Sequence, residues 1–120
     1  MEPKIDSPED IKYPEGLQRM LTEILGLPNV YFQPPSDSSM EYPCIVYHLD
    51  GVDTQYADDR PYKMSKRYLI TYIDYFPDTT IPDQIALLPT ARFNSHYTAE
   101  NLNHYSYRLY YKEVYNNVES

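Results

Sequence analysis

The sequence predicts an α+β fold: a mainly antiparallel sheet of four to five strands, two helices packed on one side, and a long projecting hairpin loop. Three observations predict it. Residues 15–25 carry apolar side chains at helical spacing, and 81–88 repeat that pattern in a shorter form. Runs at 44–49, 67–75 and 105–112 alternate in the manner of strands. The helical and strand-like stretches do not alternate regularly, as a parallel α/β fold would require. A chain of 120 residues reads as a single domain spanning 1–120. It is long enough to bury a core without staples.

Residues 1–14 contain three prolines and several charges, and read as an arm. From Glu15, the residues Leu17, Met20, Leu21, Ile24 and Leu25 fall on one helical face. Gly26 and Pro28 stop that helix. Val30–Gln33 is a short strand candidate, and 33–40 (QPPSDSSM) is a loop. In Cys44–Leu49 both faces are partly apolar, so this strand is central. Asp50 and Gly51 could turn the chain. The stronger partner is Arg67–Tyr75, so 43–50 is expected to pair with 66–75 around an excursion at 51–65. A connection of that length in a compact domain is usually functional or disordered. Thr80 starts a second helix that runs to Leu88 and ends at Pro89. Strands follow at Ala91–Tyr97 and Tyr105–Lys112, then a polar tail at 115–120.

Composition narrows the function. Fifteen Tyr, three Phe and no Trp favour half-buried sheet faces and interfaces over a deep dry core. The lone Cys44 excludes an intramolecular disulfide. It lies in an apolar run and reads as a buried, inert thiol in a chain made in a reducing cytoplasm. No signal-like or membrane-spanning run occurs. Residues 1–59 hold twelve acids against three bases, and 60–120 hold six against seven. The net charge of −8 argues against a nucleic-acid clamp, whereas the asymmetry suits head-to-tail association of subunits.

Catalytic patterns are weak. His96, Glu100 and His104 would line one face of a helix and ligate zinc, but YTAENLN lies between strands and reads as a turn. Asp50, Asp53, Asp58 and Asp59 lack the cleft that a carboxylate pair needs. The chain has only three glycines and no phosphate loop. No metal, cofactor or catalytic residue is assigned.

The segments YPCIVYHLD, YADDRPYKMSKRYLITYIDYFPD, IPDQIALLP and FNSHYTAENLNHYSYRLYY resemble, in this order, the tail terminator or tail-to-head joining proteins of long-tailed bacteriophages. The resemblance covers about 42–111. It implies a mixed α/β, non-enzymatic virion protein, made in the bacterial host cytoplasm and placed at the head–tail junction. Its implied form is a hexameric ring on the end of the tail tube, meeting the tail tube protein on one side and the head-completion or connector protein on the other. DNA passes through the lumen without specific binding, and no membrane is involved. YADDRPY is the implied contact loop. The residues expected at a subunit or ring interface are Asp53, Tyr56, Asp58, Asp59, Arg60, Tyr62, Lys63, Lys66 and Arg67. Two alternatives stand beside this reading: another connector component, such as a head-completion or tube-like protein, and a small metal-dependent enzyme.

Overall fold

The computed structural model describes residues 14–34, 39–57 and 60–112. The expected arm at 1–14 (except Pro14), the tail at 115–120, part of the 33–40 loop, and Asp58 and Asp59 lie outside the described residues. Side chains at 56, 57 and 60–64 also lie outside them.

The chain folds as α1 (Glu15–Leu25), β1 (Val30–Phe32), β2 (Cys44–Ala57), β3 (Arg60–Asp74), α2 (Ile81–Ala86), β4 (Arg92–Ala99) and β5 (Leu102–Tyr111). The five strands form one mixed sheet in the order β1-β2-β3-β5-β4. β1 runs parallel to β2, and the other three pairings are antiparallel. The α+β class holds. The parallel β1 is a feature that hydropathy alone does not encode.

α1 forms over the expected span. Gly26 adopts φ 78° and its N–H donates to the Thr22 carbonyl, so a glycine ends the helix in the left-handed region that side chains disfavour. The helix buries Leu17, Leu21 and Leu25. These pack with Ile85 of α2 against Val30, Ile45, Tyr47, Tyr68, Ile70, Tyr72, Tyr107 and Leu109. Alternation explains the sheet side of this core: Ile45 opposes Tyr72, Tyr47 opposes Ile70, and Ile70 opposes Tyr107. Two of the buried tyrosine hydroxyls find side-chain partners, as desolvation favours. Tyr47 Oη donates to Gln18 Oε1 at 2.6 Å, and Tyr72 donates to the buried Asp74. Burial pushes the Tyr72 hydroxyl up to about 12, and the Asp74 contact adds to that.

The opposite face carries a smaller apolar cluster of Cys44, Ile73 and Leu102. Burial pushes the Cys44 thiol up to about 12. Beyond this cluster the face turns polar.

The largest correction concerns 51–65. The expected excursion is paired strand: Val52 opposes Lys66, Asp53 opposes Ser65, Gln55 opposes Lys63, and Ala57 opposes Arg60. β1 pairs with β2 only as far as Tyr47, and β5 pairs with β3 only from Lys66 onward. Val52–Ala57 and Arg60–Ser65 therefore form a two-stranded finger with no third strand among the described residues. The turn expected between the last two strands is present, and it is tighter than expected, with β4 running on to Ala99 and β5 starting at Leu102. Ala99 opposes Leu102, and Glu100 and Asn101 take φ 53° and 66°, so a two-residue turn joins two long strands. Positive φ at both central residues is the turn geometry that suits strand twist.

Candidate functional site

At the root of the finger, two β-bulges assemble a polar network on the open face of the sheet. Leu49 opposes Tyr68 and Gly51 opposes Arg67, which leaves Asp50 as the extra residue on β2. Phe93 opposes Tyr107 and Ser95 opposes Ser106, which leaves Asn94 as the extra residue on β4. A bulge re-aims its side chain, and both of these aim at Arg108. Asp50 Oδ2 accepts from Arg108 Nε at 2.8 Å and from Arg67 Nε at 3.0 Å, while Asn94 Oδ1 accepts from Arg108 Nη1.

Gly51 makes room for this arrangement. A Cβ there would stand 2.5 Å from Arg67 Nη2. Hydrogen bonds from Arg108 and then from Arg67 hold the Asp50 carboxyl below the usual carboxylate range. The Tyr110 hydroxyl and the Asp50 carboxylate in turn raise Arg67. Tyr110 Oη donates to Asp53 Oδ2 at 2.7 Å, and Arg67 Nη1 lies 3.9 Å from Asp53. Thr90, at φ 69°, closes the end of the network. Its hydroxyl donates to the Tyr110 carbonyl at 3.2 Å and accepts from the Tyr110 N–H at 2.9 Å.

The expected contact residues divide along the hairpin. Tyr56, Arg60, Tyr62 and Lys63 lie on the finger's backbone, and Tyr62 is the unpaired residue of a further bulge. Lys66 is exposed where the finger meets the sheet. Asp53 and Arg67 belong to the network at the root, so Arg67 is engaged within its own chain. Asp50, Asn94, Arg108 and Tyr110 were not expected to act together. The only signal for them was the Asp50-Gly51 pair, which suits a bulge as well as a turn.

The histidine trio does not converge. His96 opposes Tyr105 while His104 opposes Tyr97, so the two histidines occupy opposite faces on neighbouring rungs. Each stacks on the cross-strand tyrosine, at 4.4 Å for His96 and 4.5 Å for His104, and Glu100 lies in the turn. Among the described residues no group of three His, Cys, Asp or Glu side chains is placed to hold a metal. No described helix is long and apolar enough to cross a membrane.

No known family model matches the chain, and no curated protein matches it.

Proposed function

We propose that this chain is a structural subunit of a closed homo-oligomeric ring, a hexamer, that caps the head-proximal end of a phage tail. In this reading it terminates the tail tube and docks the head connector, and DNA passes through the lumen without specific binding. The observation that carries the reading is the finger formed by Val52–Ala57 and Arg60–Ser65. An isolated two-stranded ribbon is marginal in water. A finger held out from its own sheet is therefore suited to lie against a neighbour. A lateral edge of the sheet is open as well, because β4 is an edge strand with exposed Phe93 and Tyr97. Two unlike surfaces on one subunit are what a head-to-tail ring requires. The acid-rich balance of the chain favours a lumen that repels phosphate and lets DNA slide.

Native mass measurement and particle imaging of the purified chain test the proposal. Closed rings of uniform size are expected. A strictly monomeric chain at about 50 μM, a concentration at which even a modest ring contact is populated, refutes it.

A further inference from the structure

Arg92 is the one arginine of the open-face network without a described partner. It opens β4, and its register partner on β5 is Arg108. Two guanidinium side chains thus leave the same face from directly opposed positions, a placement that repulsion disfavours. Arg108 is compensated by Asp50 and Asn94. Arg92 makes no ion pair or hydrogen bond with any described residue.

The groove beside these arginines has a volume of about 480 Å³ and is lined by Arg67, Thr90, Arg92, Phe93, Arg108 and Tyr110. Phe93 is 61% exposed and Tyr110 39%. Asp50 and Asp53 are already engaged by Arg67, Arg108 and Tyr110. Among the described residues, three arginines against two acids leave one positive charge uncompensated, in a chain of net charge −8.

We propose that this groove is a carboxylate-binding site, and that its ligand is an acidic side chain from the acid-rich first half of a neighbouring copy of the chain. The inference rests on the ring reading and names a contact within it. A carboxylate between Arg92 and Arg108 converts a repulsive rung into a charge-assisted bridge. The bulged Asp50 and Asn94 hold the Arg108 guanidinium in place before the ligand arrives, which lowers the ordering cost of binding. The volume and the aromatic walls fit a side chain with its flanking backbone better than a free ion. The complementary charge is abundant in the same molecule, in the ten acids of residues 1–59 other than Asp50 and Asp53.

The test compares wild type with Arg92→Glu and Arg92→Gln by sedimentation and native mass, with thermal melting as the check on folding. Wild type assembles, and its assembly weakens from about 50 to about 500 mM salt as exposed charges are screened. Arg92→Glu weakens assembly by roughly tenfold or more, Arg92→Gln does so by less, and both flatten the salt response. Arg92→Glu melts no lower than wild type, because the repulsion with Arg108 is relieved. The inference fails if Arg92→Glu assembles like wild type with the same salt dependence. It also fails if inorganic phosphate saturates the groove, read by chemical shifts of Arg92 and Arg108, without weakening assembly. A wild-type chain that never assembles overturns the ring reading itself, and this contact with it.

Discussion

Asp50 holds two guanidiniums on one carboxylate oxygen, and the consequence is measurable in acid. Its folded-state affinity for a proton is lowered, so the stability it contributes is complete above the ordinary carboxylate value near 4. That stability is lost as pH falls through the lowered value. Asp50→Asn leaves Arg67 and Arg108 without their shared partner. The expected cost is about 1–2 kcal/mol at neutral pH, because the carboxylate is only 19% exposed but both arginines reach solvent. Urea unfolding as a function of pH should bring wild type and variant together at low pH, where the wild-type side chain is neutral as well. A constant gap at every pH would mean that the charge contributes nothing. Cys44 gives a second residue-scale expectation. Its thiol is fully buried and pushed up to about 12, so a disulfide reagent at pH 8 should label it only as fast as the protein unfolds. The burial of the thiol was legible from its apolar run. The role of Asp50 was not, because Asp-Gly signals a tight turn and a bulge with the same residues.

Among the elements, legibility followed burial. α1 was readable to the residue because one face meets a core and the other meets water, which writes a helical period into the sequence. Leu21 is fully buried on that face, and Leu21→Ala should cost about 2–5 kcal/mol in denaturant unfolding. β3 and β5 were readable for the same reason at a period of two. The finger was not, and β4, expected at 91–97 and found at Arg92–Ala99, was legible only in outline. Every described residue of β4 is exposed except Ser95, which is half-buried, so no face imposes an apolar alternation. The finger likewise looked like a polar loop because it leaves the sheet that would have imposed a pattern. The β4–β5 connection was read as a turn, but its two-residue length was masked by its own residues: Glu100 is a poor occupant of positive φ, and Asn101 is a good one. Replacing the pair by Asn-Gly should stabilise the hairpin by about 0.5–1 kcal/mol, seen as a melting temperature a few degrees higher. No gain would mean that the turn is not held in this geometry.

At the scale of the molecule, the finger and the core are separable. Neither apolar cluster draws on a described side chain of the finger: one joins the helices to the sheet, and the other ends at Leu102, Ile73 and Cys44. Removing Val52–Ser65 and closing Gly51 to Lys66 with a short turn should therefore leave a folded subunit. Asp50, Arg67 and Arg108 stay in place, and the melting transition should remain cooperative. Assembly should not survive, because the deleted segment is the one whose paired strands have no third strand beside them among the described residues. The two measurements separate the outcomes. A folded monomer assigns the finger to the interface between copies. A folded ring of unchanged mass removes the finger from that interface and leaves the β4 edge and the arginine groove as the contacts to be disrupted next. An unfolded product means that the finger stabilises its own subunit, and the separation between core and finger argued from the clusters is then wrong.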